Sequence, residues 1–325
     1  MKAEAPLVSV IVPNWNGVRH LPECLDHLEQ QTLQDFELIV VDNASTDTSV
    51  QWLEANAPRA RVVRRDINGG FSGCVNSGIR VAQGDYVAIL MNDTAASPEW
   101  LESLVTAVDG TGYDFAASRL VFYDSPETIN AAGDVYDMRL LAGRQRGRGD
   151  PVTDCLGSVR VLGACAGAAL YRRDFFEDVG LFDEGFFMVH EDTDLNLRAL
   201  IAGKRCVYAP DAVVRHKDSA TIRVVPELQE YTIRNQYRVV SKDMPCALLP
   251  IAAALWVFHA FRTTIPLRPW KWHLIPTLVR QLNRELAFQA EGLRLGWRAR
   301  ADVWSRRVVS RREIVQWLMK GVGPR

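Results

Sequence analysis

The chain has 325 residues, of which 48% are hydrophobic and 24% are charged, and its formal net charge is −1 at pH 7. These values are typical of a globular protein with a full hydrophobic core, and no nucleic-acid partner is predicted. The charge is uneven, because residues 262–325 contain 14 Lys or Arg and 4 Asp or Glu, a net +10 that leaves −11 for residues 1–261. We therefore expect one large domain with a basic C-terminal appendage, which favours an anionic partner such as a membrane surface.

The six cysteines are scattered along the chain and form no Cys-x-x-Cys pair. We expect buried, reduced thiols in a cytosolic protein. No basic and apolar leader precedes the first predicted strand, which agrees with a cytoplasmic location. The longest apolar run, residues 246–261, contains Pro250 and His259 and is too short to span a bilayer comfortably.

Short apolar runs alternate with helical patterns in the first hundred residues. Strands are predicted at residues 7–12, 36–41, 61–65 and 86–90, and helices around residues 21–28, 48–56 and 72–82, followed by a helix with Pro98 at its first position. This alternation predicts an α/β protein with a Rossmann-like, mostly parallel open sheet and flanking helices.

Polar residues follow three of these strands. The clusters are Pro13-Asn14-Trp15-Asn16-Gly17, Asp42-Asn43-Ala44-Ser45-Thr46-Asp47 and Asn92-Asp93-Thr94. Each cluster alone is ordinary turn chemistry, but open α/β sheets bind ligands at the carboxyl ends of their strands. The three clusters together therefore predict one binding site.

A glycine-containing stretch, residues 68–72, precedes the third helix. Its glycines allow a ligand to approach the backbone, and a helix N-terminus attracts anions, although a plain loop is an equally simple interpretation. Neither G-x-G-x-x-G nor a P-loop motif occurs in the sequence, so neither of those nucleotide-binding classes is supported.

Residues 123–158 lack regular periodicity and predict an inserted loop or a mobile flap over the site. The basic run at residues 143–149 is more typical of a solvated loop than of a ligand contact. Farther along, the small residues at 163–169 leave room either for a ligand or for tight packing.

Three carboxylates within four residues open a predicted helix at His190–Arg198. Acids in a first turn suit the helix dipole, which is a purely structural interpretation, but three acids behind an aromatic loop also fit an active site. Asp194 and Arg198 are four residues apart and predict a pair along the helix. Asp192 is then left to point elsewhere.

From Pro226 onward the pattern is helical, and this part of the chain contains six of the nine tryptophans. Tryptophan beside Lys and Arg predicts a helix that lies on a membrane surface. The alternative is a helical subdomain that packs on the main domain or forms a homodimer.

Taken in order, these motifs resemble the family 2 inverting glycosyltransferases of the GT-A fold, and most closely bacterial rhamnosyltransferase-like enzymes of cell-surface polysaccharide synthesis. The resemblance covers about residues 7–240, so we expect a GT-A domain at 1–240 and a helical, basic region at 241–325. The implied nucleotide-sugar-binding residues are Pro13, Asn14, Asn16, Asp42, Asn43, Asp47, Asn68, Gly69, Phe71, Asn76, Asn92, Asp93, Gly163 and Ala164.

The same resemblance implies the catalytic and metal-binding residues. Asp192 corresponds to the catalytic base, with Glu191 either beside the acceptor or supporting Asp192. Asp93 and His216 correspond to the ligands of Mg²⁺ or Mn²⁺, although a lone histidine is usually no ligand. The first acid of the metal-binding D-x-D motif is replaced by Met91, and thioether is a poor ligand for these ions.

The expected function is transfer of a sugar, with inversion, from dTDP-rhamnose or a UDP-hexose to a hydroxyl of a glycan or lipid-linked acceptor. The processive-synthase motif Q-x-x-R-W is absent, which favours addition of one or a few sugars. Two alternatives stay open, namely a nucleotidyltransferase and a non-catalytic protein that binds nucleotide sugars.

Overall fold

A computed structural model describes residues 5–218, 227–255 and 275–320. Its strands are β1 (Val8–Asn14), β2 (Phe36–Asp42), β3 (Ala60–Arg64), β4 (Tyr86–Leu90), β5 (Thr94–Ala96), β6 (Phe115–Phe122), β7 (Ser125–Ala132), β8 (Asp134–Asp137), β9 (Ala142–Gln145), β10 (Val159–Val161), β11 (Ala168–Arg172) and β12 (Cys206–His216). Its helices are α1 (Leu21–Glu29), α2 (Ser49–Asn56), α3 (Gly70–Val81), α4 (Trp100–Val108), α5 (Phe175–Val179), α6 (Glu191–Ile201), α7 (Leu228–Asp243), α8 (Ile275–Ser305) and α9 (Arg311–Lys320).

Ten strands form one sheet with the order β10-β12-β6-β11-β4-β1-β2-β3, in which β5 adds to β12 and β7 adds to β6. The half built from β4, β1, β2 and β3 is parallel, and β12 is parallel to β6. Strand β11 lies antiparallel between β4 and β6. The fold class is thus the predicted α/β class with a mostly parallel central sheet and flanking helices.

The central strands are buried on both faces, as their continuous apolar runs predict. Along β1, Val10 and Val12 belong to the core under α1, α2 and α4, whereas Ile11 belongs to the core under α3, α5 and α6. On α6, Leu195 and Ala199 face that second core. The acidic first turn of α6 is consequently fixed relative to the strand ends.

The prediction of an irregular loop or flap at residues 123–158 is wrong for residues 125–132, 134–137 and 142–145, which form strands. Strand β7 pairs with β6, and β8 and β9 form a two-stranded hairpin. Residues 119–122 of β6 extend past β11 and offer an open edge, against which Ile129 and Ala132 are buried. The segment is rich in small and polar residues, so its sequence shows no strand periodicity. The strands form because of this long-range pairing.

The C-terminal helices pack behind α6. The domain boundary predicted at 240 falls inside α7, and a third core cluster joins Leu197 of α6, Val240 of α7, Val303 of α8 and Trp317 of α9. Of the other tryptophans there, Trp297 is 60% exposed and Trp304 is partly buried, while Trp256, Trp270 and Trp272 lie outside the described residues. In the part of the chain that the structure describes, no helix is long and apolar enough to cross a membrane.

Candidate active site

A cavity of about 650 Å³ opens at the carboxyl ends of β1, β2 and β4, which is the place that the polar clusters predict. It also receives the first turn of α6, the end of β12 and the β8–β9 hairpin. The predicted residues that line it are Pro13, Asn14, Asn43, Asn68, Phe71, Asn92, Asp93, Glu191, Asp192 and His216. Residues separated by up to about two hundred positions thus meet around one volume.

Amide side chains join the three strand ends to one another. Asn14 Nδ2 donates to Asp42 Oδ1 at 3.0 Å, and Asn92 Nδ2 donates to Asn14 Oδ1 at 2.8 Å. Asn43 Nδ2 donates to Asn68 Oδ1 at 2.8 Å. This bond connects the polar cluster after β2 to the glycine turn, which is the glycine-containing stretch at residues 68–72. Parallel pairing places Asn14 opposite Asp42, which is why the clusters converge.

The other predicted binding residues are not among those that line the cavity, namely Asn16, Asp42, Asp47, Gly69, Asn76, Gly163 and Ala164. Two of them make contacts that connect neighbouring segments. Asn16 Oδ1 accepts from the backbone N–H of Thr46 at 2.7 Å, and Asn76 Nδ2 donates to the carbonyl of Phe182 at 2.8 Å. Asn16 thus fixes the loop after β2, and Asn76 joins α3 to the segment before α6.

Asp93 and His216 face each other, with Nε2 of the histidine 3.5 Å from Oδ1 of the aspartate. Asp93 is 1% exposed, and within the described part of the chain neither of its carboxylate oxygens has a hydrogen-bond partner. His216 Nδ1 lies 3.1 Å from Asn130 Oδ1. A neutral imidazole that donates from Nδ1 to this amide oxygen presents its Nε2 lone pair towards Asp93.

This pair fits a divalent cation, because a buried carboxylate without partners is costly unless a positive charge compensates it. The imidazole nitrogen and the carboxylate oxygen are both suitable ligands. Among the described residues no group of three or more His, Cys, Asp or Glu side chains is arranged to hold a metal. An ion here would therefore take its remaining ligands from water or from a bound anion.

The loop before α6 has a strained backbone. Phe187, Val189 and His190 all have positive φ, at 63°, 59° and 68°. Non-glycine residues in this region cost of the order of 1–3 kcal/mol each and persist only where the surroundings hold them. Here the surroundings include Asn235 of α7, whose buried Nδ2 lies 2.7, 2.8 and 3.0 Å from the carbonyl oxygens of Phe186, Met188 and Val189.

The glycine turn accommodates the same loop. Gly70 has φ of 68°, and a Cβ atom there would lie 2.2 Å from the carbonyl oxygen of Phe187. Glycine is required at this position by both the backbone angle and the space. Ring stacking of Phe187 on Tyr231, with centroids 5.1 Å apart, completes the contact between the loop and α7.

The two acids that open α6 have different environments. Burial, together with the neighbouring Asp192 carboxylate, raises the pKa of Glu191 to about 8. Burial also raises the pKa of Asp192, but the amide and hydroxyl of Thr193 and the amide of Ala166 donate to its carboxylate and oppose that rise. Of the pair, Asp192 is therefore the better-stabilised anion near neutral pH.

The profile of the family described as Glycosyl transferase family 2 matches residues 9–180, which is more than half of the chain. The chain belongs to this family. A Streptococcus pneumoniae relative, glycosyltransferase GlyG, is 34% identical over 124 residues, which cover 37% of this chain and 41% of the relative's length. The uncharacterized glycosyltransferase EpsJ of Bacillus subtilis is 26% identical over 241 residues, covering 72% of this chain and 68% of EpsJ.

Solved structures confirm the GT-A fold of this family 2 chain. A structure of TarS residues 1–349 from S. aureus matches at 18% identity and a TM-score of 0.54, covering 98% of this chain and 93% of that 1–349 chain. A mannosyltransferase from Pyrobaculum calidifontis, in complex with GDP-Man and Mn²⁺, matches at 17% identity and a TM-score of 0.54, and the alignment covers 94% of this chain and 86% of the mannosyltransferase chain. GalNAc-T7 with UDP, GalNAc and Mn²⁺ gives a TM-score of 0.62 at 15% identity, covering 89% of this chain and 57% of that one.

Several cavity residues of this family 2 domain come from the segment predicted to be a loop. They are Asn130, Asp134, Gly143, Arg144, Gln145 and Arg148. The basic run at residues 143–149 is partly solvated as expected, since Arg144 and Arg148 are exposed, but Arg148 also lies over the Phe122 ring and pairs with Asp218 at 2.7 Å. Only the abundance of polar residues in the segment could have signalled this role, because its strands were not recognisable.

The predicted pair on α6 is present, with Arg198 Nε 2.8 Å from Asp194 Oδ2 and both side chains buried. Replacing Arg198 with methionine should destabilise the protein by about 3 kcal/mol, because Asp194 then loses a buried partner. Urea unfolding measures this effect. The matched control is Arg80→Met, whose exposed pair with Glu184 should contribute less than about 1 kcal/mol. Equal losses in the two variants would contradict the assignment.

Glu191 also predicts a pH dependence of stability. Its pKa is about 8 in the folded chain against the usual 4.5, so the folded state binds more protons between these values and stability falls as pH rises through that window. Replacing Glu191 with glutamine should flatten this fall by about 1–3 kcal/mol between pH 5 and pH 8.5, by urea unfolding. The exposed control Glu177→Gln should follow the wild type, and a wild-type slope in Glu191→Gln would refute the prediction.

Proposed function

We propose that this family 2 chain transfers a sugar from a nucleoside diphosphate sugar to a hydroxyl of a glycan or lipid-linked acceptor, with inversion at the anomeric carbon. One observation carries the proposal. Asp192 opens into the same cavity as the strand-end amides and the buried Asp93–His216 pair. A volume of about 650 Å³ lies in the usual range for small-ligand sites.

In this proposal the donor nucleotide lies at the strand ends. Asn14, Asn43 and Asn68 offer amide groups to the base and ribose, and Phe71 offers an apolar wall. The buried Asp42 accepts from Asn14 and keeps that amide oriented. The glycine turn before α3 lets the diphosphate approach the backbone.

Asp93 and His216 would hold Mg²⁺ or Mn²⁺ at the diphosphate. When bound, the ion supplies positive charge to the leaving nucleoside diphosphate. Two structures of similar fold, with GDP-Man and Mn²⁺ and with UDP, GalNAc and Mn²⁺, support a divalent ion. Met91 lines the cavity but contributes only a thioether, so this site has fewer protein ligands than the D-x-D pattern provides.

Asp192 would accept the proton of the acceptor hydroxyl as that oxygen attacks the anomeric carbon. A single carboxylate suffices for a direct displacement, and such a displacement inverts the anomeric centre. Glu191 stays protonated near neutral pH, because its pKa is about 8, and so adds no second negative charge beside the base.

A thermal-shift screen tests the donor. A bound nucleotide sugar must raise the melting temperature, so dTDP-rhamnose and UDP-glucose are compared with and without Mn²⁺. Product analysis then decides between the function classes. Sugar transfer or donor hydrolysis supports the proposal, release of pyrophosphate from a nucleoside triphosphate assigns a nucleotidyltransferase, and binding without turnover assigns a non-catalytic protein.

The exposed face of α8 supports a second proposal, that the C-terminal region contacts an anionic membrane surface on the cytoplasmic side. Trp297 is 60% and Leu293 40% exposed one turn apart, and Arg294 and Arg298 are exposed beside them. Apolar and cationic side chains in alternate stripes are typical of interfacial helices.

Flotation on vesicles of phosphatidylcholine, with and without phosphatidylglycerol, tests this contact. We expect binding only to the anionic vesicles, and loss of binding when Trp297 is replaced by alanine. The control Ile67→Ala removes an apolar side chain that is 72% exposed elsewhere and should bind as the wild type does. Self-association without lipid binding would instead assign this face to a homodimer.

A further inference from the structure

Asp134 is a cavity residue that none of the sequence motifs identified. It opens β8, is 5% exposed, and lines the cavity together with Glu191 and Asp192. Its Oδ2 accepts a hydrogen bond from Asn196 Nδ2 at 3.1 Å. Its Oδ1 has no hydrogen-bond partner among the described residues. A polar atom this deeply buried without a partner is uncommon in native proteins and calls for a ligand.

The surrounding residues hold Asp134 rigidly. Its backbone N–H donates to the carbonyl of Gly163 at 2.8 Å. Asn196, which is 1% exposed, is itself fixed by two bonds to the backbone of Ala164, from N–H to Oδ1 at 3.2 Å and from Nδ2 to the carbonyl at 3.1 Å. A Cβ atom on Gly163 would lie 1.9 Å from Asn196, so glycine is required for this support.

Asp134 lies between the proposed metal site and the proposed base in the chain's contacts. Asn130, four residues earlier, contacts His216, which belongs to the pair proposed to hold the metal at the diphosphate. At the other end, Asp134 interacts electrostatically with Asp192, the proposed base. Asn130 and Asp134 lie on either side of Gly133, whose φ is 81°, and both line the cavity.

We propose that Asp134 binds a ring hydroxyl of the transferred sugar and is a specificity-determining residue, an inference that rests on the proposed function. In a displacement the sugar must lie between the leaving diphosphate and the base, and Asp134 borders that interval. Burial and the Asp192 charge raise the pKa of Asp134 well above its usual range. A carboxyl group that is protonated in this way can both donate a hydrogen bond to a hydroxyl and accept one from it.

Isothermal titration of the full chain with Mn²⁺ tests the inference. The probes are dTDP-rhamnose and UDP-glucose, with dTDP and UDP as the same ligands without a sugar. For the nucleotide sugar that the wild type prefers, Asp134→Ala should weaken binding about 10- to 100-fold, while the affinity for the sugar-free nucleotide changes less than about twofold. Asp134→Asn, of nearly the same shape, should lose less, and its melting temperature shows whether the fold is intact.

The matched control is Asp154→Asn, an exposed acid of the same segment outside the cavity wall, which should bind both probes as the wild type does. Equal affinity of wild type and Asp134→Ala for the nucleotide sugar would overturn the inference and leave the proposed function standing. Parallel loss of both probes in a folded variant would also overturn it, since Asp134 would then support the whole site. Failure of the wild type to bind either nucleotide sugar would overturn the proposed function and, with it, the role of Asp134.

Monodeoxy donors make the test specific to an atom. Removing the hydroxyl that Asp134 recognises should weaken donor binding by about 10-fold in the wild type and should leave binding unchanged in Asp134→Ala. The difference between these two effects is the coupling that a double-mutant cycle measures. If every deoxy donor lost the same affinity in the wild type and in the variant, no hydroxyl would contact Asp134.

Discussion

Replacing Asp192 with asparagine should lower the rate of sugar transfer by about 10²- to 10⁴-fold, the range that a general base contributes. Asparagine keeps the size and most hydrogen bonds of the side chain but cannot accept the proton of the acceptor hydroxyl. The affinity for the donor nucleotide should stay within about twofold, because the strand-end amides are unchanged. Steady-state transfer kinetics and nucleotide titration measure the two quantities.

The neighbouring Glu191→Gln variant is the matched control for Asp192. Its side chain lies on the same helical turn and lines the same cavity, but a group with pKa of about 8 is mostly protonated at pH 7 and serves poorly as a base. We expect it to retain most of the transfer rate. If Glu191→Gln lost the rate and Asp192→Asn kept it, the roles of the two acids would have to be exchanged.

Replacing His216 with alanine should weaken the Mn²⁺-dependent part of nucleotide binding by about 100-fold. The reason is that Asp93 would be left as the single member of the pair, and loss of supporting groups around bound metals costs about 10–100-fold in affinity. Titration with UDP or dTDP in the presence of Mn²⁺, repeated in EDTA, separates metal-dependent from metal-independent affinity. The wild type and the variant should converge in EDTA.

His27→Gln controls for the loss of an imidazole elsewhere. His27 Nδ1 lies 2.9 Å from the carbonyl oxygen of Ala96, and its side chain does not line the cavity. This variant should respond to Mn²⁺ as the wild type does. Undiminished Mn²⁺ dependence in His216→Ala would show that the cation binds elsewhere.

Much of the fold could be predicted from the sequence because its first half is locally consistent. The apolar runs of β1, β2 and β4 are continuous, and turn residues separate them from amphipathic helices. The strand-end clusters could be predicted to converge because parallel strands present their carboxyl ends at one edge. Asn14 and Asp42 are neighbours for that reason alone.

The strands of the insertion could not be predicted, since β7 depends on an open edge of β6 that exists only in the assembled sheet. The sequence therefore does not indicate that three residues of this segment line the cavity, namely Asn130, Asp134 and Arg148. No sequence motif indicates the role of Asn235. Its contact with three carbonyl groups of the strained loop requires α7 to pack behind α6.

The sequence by itself determined the α/β class, the three polar strand ends, the acidic turn of α6 and the Asp194–Arg198 pair, because each depends on periodicity or spacing within one element. Only the tertiary structure decided which of these groups reach the cavity. Asp42 and Gly163 are not among the residues that line it, whereas Asp134 is. The physical reason is that burial, orphaned polar atoms and pKa shifts are properties of neighbours brought together by long-range packing, and no local pattern records them.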